Sequence, residues 1–214
     1  MLVKASSSDY DTAWQTDALP AHAAATTGVH GITDTAVLYR GLRLQTGRWY
    51  GPFITSRNIG PGSTNRIRGG LLVVEQSITA VAIRAEVASA GTAGSLVRLG
   101  IYRCYHNVST ADLVVDAGTI DGTVVGIQQV AISSVLLVPG VYALIAVPQG
   151  SPATEPSMVM LQSVGAYPWA GASDSFIVNA PNVIGTTSSG ALPGTSAIND
   201  SGSPQAPLVQ IKVG

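Results

Sequence analysis

Ile78-Thr79-Ala80-Val81-Ala82-Ile83-Arg84-Ala85-Glu86-Val87 decides the fold class. Val81, Ile83, Ala85 and Val87 fall on one parity, and Arg84 and Glu86 fall on the other. Side chains of an extended chain change face at every residue. A period of two therefore marks a strand with one face in a core and the other toward water.

The pattern recurs on either side. Val97, Leu99 and Ile101 alternate with Arg98, and near the end Val209, Ile211 and Val213 alternate with Gln210 and Lys212. Leu71–Val74 and Val141–Val147 are unbroken apolar runs, as expected of strands buried on both faces. Arg68-Gly69-Gly70 and Pro139-Gly140 flank them with turn chemistry. Further turn signals lie at Ala90–Gly94, Asp121-Gly122 and Gly150-Ser151-Pro152. No long amphipathic helix interrupts the series. The expectation is an all-β chain, an antiparallel β-sandwich of jelly-roll type, with roughly eight to ten strands. Residues 179–207 are dominated by Gly, Ser, Pro, Asn and Thr and read as a long surface loop.

Composition narrows the function. Charged residues make up 11% of the 214 residues, where about 25% is usual. The surface must draw its polarity from Ser, Thr, Gly, Asn and Gln, which suits β-structure and flat contacts between copies. The net charge is −1 and the 11 Lys and Arg are scattered. A nonspecific nucleic-acid binder needs them clustered against phosphates, so no nucleic-acid partner is expected. No apolar run is long enough to span a bilayer as a helix, so no membrane insertion is expected, and no secretion signal is read at the N-terminus. Cys104 is the one cysteine and reads as a small buried apolar residue.

Texture divides the chain into 1–45, short, polar and then Ala- and Thr-rich, and 46–214, strands and turns. Leu2-Val3-Lys4-Ala5-Ser6-Ser7-Ser8-Asp9-Tyr10-Asp11-Thr12-Ala13-Trp14 is similar to an element that recurs in phage fibre shafts. His22-Ala23-Ala24-Ala25-Thr26-Thr27-Gly28-Val29-His30-Gly31-Ile32-Thr33-Asp34-Thr35-Ala36 resembles a second element of the same fibres, in the same order. Segments between Arg66 and Gln149, among them Ala93–Tyr102, Asp116–Gly122 and Pro139–Tyr142, resemble a β-domain at the C-terminal end of those fibres. The chain thus resembles tail fibres and minor tail proteins of tailed bacteriophages. The resemblance implies a virion component and a homotrimer. Residues 1–45 would form a stalk that attaches to other virion proteins, and residues 46–214 a head presented to a host-surface glycan or protein.

Candidate residues follow from both readings. His22 and His30 would each repeat three times around an axis. No Cys, Asp or Glu lies between them at ligand spacing, so they are assigned to stalk contacts and no metal is expected. Trp14 is placed near the same axis, and Trp49, beside Gly51-Pro52, at the stalk–head junction. Tyr167 and Trp169 flank Pro168 in a loop and are the receptor-binding candidates, because exposed aromatic rings stack on sugars or fill pockets in a partner. Packing beneath the sandwich is the other reading of that pair. No Gly-x-Ser-x-Gly elbow occurs, His106 stands alone in a loop, and the sparse acids read as solvated groups and turn formers. No catalytic residue, enzyme activity or cofactor is expected. The expected function is adsorption as a tail fibre or receptor-binding protein. A capsid-attached fibre, spike or decoration protein is one alternative, and a glycan-degrading tailspike is another.

Overall fold

Alternation becomes a sandwich when two half-apolar sheets close on one another. The structure, a computed structural model, describes residues 2–4, 14–16, 44–52, 56–62, 64–104, 110–150, 152–162, 183–184, 189–197, 199–200 and 205–214. Contacts divide the chain into Met1–Leu42 and Arg43–Gly214. In the first unit β1 (Leu2–Lys4) pairs antiparallel with β2 (Trp14–Thr16), Lys4 standing opposite Trp14.

The second unit holds fourteen strands among the described residues. Nine have five residues or more: β4 (Ser56–Pro61), β5 (Arg68–Val74), β6 (Ile78–Ser89), β7 (Leu96–Cys104), β8 (Thr110–Asp121), β9 (Gly126–Leu137), β10 (Gly140–Gln149), β11 (Ser157–Gln162) and β16 (Val209–Val213). The short ones are β3 (Trp49–Tyr50), β12 (Val183–Ile184), β13 (Thr195–Ala197), β14 (Asn199–Asp200) and β15 (Gln205–Pro207). Every pairing is antiparallel, and the described residues contain no helix. One sheet runs β13-β8-β7-β10-β5-β12-β14. The other runs β15-β11-β6-β16-β3, with β4 beside β11 and β9 beside β6. The chain is an all-β antiparallel sandwich.

The core between the sheets is built from the residues that the alternation singles out. Val97, Leu99 and Ile101 come from β7, Ile83, Ala85 and Val87 from β6, and Val209, Ile211 and Val213 from β16. One expected core residue is displaced. Val81 is half-buried and outside that core, while Ala80 and Ile78 lie in it. The ladder shifts at this point: Ala80 pairs with Val135 but Ala82 with Ala131, and β16 shifts against β6 at the same place. The bulge moves the apolar phase by one residue and turns Val81 out of register with Ile83.

The unbroken apolar run of β10 is buried on both faces. Leu144 and Ala146 face the other sheet, and Ala143, Ile145 and Val147 face a second apolar cluster on the far side. β5 follows for Leu71, Leu72 and Val74, but Val73 is 38% exposed. The cover over this second cluster comes from 189–197, inside the stretch read as a surface loop. That expectation is corrected: 179–207 contains β12, β13, β14 and β15, and Leu192 and Ser196 are buried. Leu192 sits over Gly100, where a β-carbon would stand 2.2 Å from its Cδ1. The glycine between Leu99 and Ile101 is the hole that the leucine fills.

Polar anchors hold the cover down. The Asp116 carboxylate receives Arg98 Nε at 2.8 Å and Nη2 at 2.9 Å, and it also accepts the Leu192 amide at 3.0 Å. The Tyr102 hydroxyl donates to the Pro193 carbonyl at 2.7 Å, and Gln149 Nε2 donates to the Gly190 carbonyl at 2.8 Å. The Leu113 amide donates to Gly194 O at 2.8 Å. Burial, helped by the nearby Asp116 charge, pushes the Tyr102 hydroxyl up to about 12, so it stays a donor at all ordinary pH. Cys104 is buried in the same cluster, and burial pushes its thiol up to about 12.

Candidate binding face

The outward parity of β6, β9 and β16 places a polar and apolar surface on the second sheet. Arg84 lies directly across from Gln210 on one side and Gln129 on the other, and Glu86 lies across from Ile127. Lys212 pairs with Ala82 and with Trp49 of β3. These residues belong to strands whose inward parity is locked in the core, so their outward aim follows from the alternation itself.

Two contacts organise the face. The Arg84 guanidinium lies 4.3 Å from the centroid of the Trp49 ring, and its Nε donates to Gln210 Oε1 at 2.9 Å. Burial draws the Arg84 pKa down from its usual value and the Glu86 charge opposes this, yet an arginine so placed remains a cation. Arg57 Nη2 meets Glu86 Oε2 at 2.9 Å, with Arg57 more than half exposed. An exposed pair of this kind contributes little to stability, and its value is positional. A cleft of about 480 Å³ opens beside it, bounded by Arg57, Ile59, Glu86, Val125 and Val159. A second, of about 470 Å³, lies where β8 and β9 part, with Val114, Val115, Ile132 and Val135 on its walls.

Trp49 was expected to pack at a junction between stalk and head. Its ring packs under Arg84, and β3 is tied to the sheet edge by Ile211 and Lys212. This staple has a modest expected value. Arg84→Ala should lower unfolding free energy by about 1 kcal/mol, and Arg84→Lys should restore part of that, read by urea titration of tryptophan fluorescence. Equal stability of Arg84→Ala and the parent would remove the ring contact from the account.

Tyr167 and Trp169, the receptor-binding candidates, lie outside the described residues, as do His22 and His30. Trp14 lies in β2, and its side chain lies outside the description. Of the candidate residues, Trp49 is the one whose side chain is described. What sequence reading missed is the Arg84–Trp49–Gln210 arrangement. Its members are 35 and 126 positions apart, and only the strand register joins them. Among the described residues no group of three or more His, Cys, Asp or Glu gathers as a metal site. Comparison with protein-family models, with curated proteins and with solved structures returned no match.

Proposed function

We propose that the chain is a virion structural protein, a tail fibre or receptor-binding protein that adsorbs to the host surface as a homotrimer. The observation that carries this reading is the ordered succession in the sequence. The fibre-shaft-like element at 2–14 and the His22–Ala36 element precede a chain that folds as an antiparallel sandwich. Residues 1–45 serve as the stalk and attachment region, and 46–214 as a head of jelly-roll type. The partners are other copies of the chain, neighbouring virion proteins and a host glycan or protein. The work is adhesion, not catalysis.

Adhesion of this kind needs no tight single site. Three weak contacts on one head, repeated over several fibres, gain avidity through effective concentration. The face carrying Arg84, Lys212, Arg57 and Ile59 offers cations and apolar side chains side by side, and Tyr167 and Trp169 remain the aromatic candidates for contact. Purified full-length chain, incubated with host cells before infection, is expected to reduce phage adsorption in a dose-dependent way. Antibody against the chain should label the tail end of the particle. Labelling of the capsid shell alone would overturn the tail assignment, and release of reducing ends from host polysaccharide would overturn the non-enzymatic one.

A further inference from the structure

Sheet edges are where β-proteins protect themselves, because a row of unpaired N–H and C=O groups templates pairing with another chain. The head protects most of its edges. β3, β12 and β14 have two residues each and β13 has three. β4 carries Arg57 and ends on Pro61. β8 is broken by two register shifts against β7, and its start is capped by β13.

Among the described residues β9 has no comparable protection. It is twelve residues long, and among the described residues it pairs with β6 alone. From Gly126 to Ala131 its ladder runs without a shift, opposite Val87 to Ala82. It has no proline and no charge, and the whole stretch from Gly122 to Thr154 contains no Asp, Glu, Lys, Arg or His. Of the seven large apolar side chains left exposed among the described residues, four are here. Val124 is 50% exposed, Val125 59%, Ile127 61% and Leu136 62%.

The geometry points to the β9 side of the head as the surface through which copies of this chain meet. Neutrality of the edge strand itself is the argument for a second copy over a foreign partner, the nearest charges, Arg84 and Glu86, standing one strand further in. Near a symmetry axis each side chain approaches its own image, so any charge there would oppose itself. A strand of Gln, Ser, Ala, Val, Ile and Leu meets its image without that cost, and Gln129 can both donate to and accept from a copy of itself. In the trimer proposed above, β9 would lie toward the axis, with Ile127 and Leu136 turned to the neighbouring heads. The inference rests on that reading only in taking the chain to assemble with itself.

The test is hydrogen exchange of the full-length chain read by mass spectrometry over peptides from 124–137, with light scattering alongside. In an antiparallel edge strand every second amide points away from its one partner. The parent is expected to be an oligomer with slow exchange along the whole strand. Ile127→Lys with Leu136→Lys should release on the order of six amides, half the strand, whether or not the stalk keeps the copies together. Exchange over 140–149 should stay unchanged and so report an intact core. If the double variant disturbs 140–149, Gln129→Lys, an exposed polar position, carries the test and should release the same amides. Val73→Lys, also exposed but on β5 of the other sheet, should leave 124–137 protected. A monomeric parent, or a 124–137 uptake equal in parent and variants, would overturn the proposal. Adsorption to cells is measured separately, so its loss or survival bears on the proposed function and not on this contact.

Discussion

Asp116→Ala is expected to lower the stability of the sandwich by about 3 kcal/mol, a fall of roughly 6–12 °C in Tm. The carboxylate serves two partners at once: it holds both nitrogens of one Arg98 edge and takes the Leu192 amide. Its side chain and that of Arg98 are each about one-fifth exposed, so water only partly replaces what is lost. Alanine leaves a half-buried guanidinium and a buried amide without their acceptor, and it loosens the cover over Tyr102, Ile145 and Leu71. Burial pushes the Asp116 carboxyl up, but the Arg98 hydrogen bond, the Leu192 and Gly118 amides and the Arg98 charge together outweigh it. The folded value lies below the usual 3.8. A depressed carboxyl contributes stability that is fully present above the unfolded value and is lost as pH falls through the folded one. The parent should therefore lose this contribution below about pH 4, whereas Asp116→Asn should show a flatter acid limb from a lower plateau. Thermal melts of both chains between pH 2 and 7 check this. Parallel curves would mean that the carboxylate is not the anchor.

How much of this was legible in the sequence depended on whether a signal was local. β7 and β16 could be read because their alternation is unbroken, and nothing but a strand explains it. β6 could be read as a strand, but its phase could not be followed past the bulge at Val81. A bulge adds a residue without leaving a compositional mark. The apolar run of β10 demanded a cover on its second face, but the cover itself was invisible. Residues 189–197 have no period, and one apolar side chain, Leu192, with Ser196 and a few backbone groups does the packing. Indirect signals were there: a glycine at 100 in the middle of an apolar strand, and Arg98 and Asp116 within reach on neighbouring strands. The candidate face was less legible still. Trp49 was read as a packing residue, but Arg84 as its neighbour could not be read, because cross-strand neighbours are set by register and register is not printed in the order of residues.

Gly69→Ala is expected to cost the sandwich about 4 kcal/mol or more, enough to leave little folded protein at 37 °C. Gly69 pairs with Ile145 on one side and Val183 on the other. A β-carbon at this position would stand 2.3 Å from the Leu144 carbonyl oxygen and 2.9 Å from the Ile145 α-carbon. Both are backbone atoms of β10, whose residues from Tyr142 to Gln149 are all buried, so neither can rotate away as a side-chain tip would. Relief requires β5 and β10 to separate, which opens the ladder that joins the two halves of the covered sheet. Loss of the Leu192 cover should follow, because Ile145 also packs beneath it. Gly190→Ala is the matching control. Its β-carbon meets nothing within 4 Å, and its backbone is not in the left-handed region, so the change should be neutral or stabilise by up to about 1 kcal/mol through the unfolded chain. Urea unfolding of the two variants separates the cases. A Gly69→Ala chain as stable as its Gly190→Ala counterpart would mean that the β5–β10 ladder has room the structure does not show.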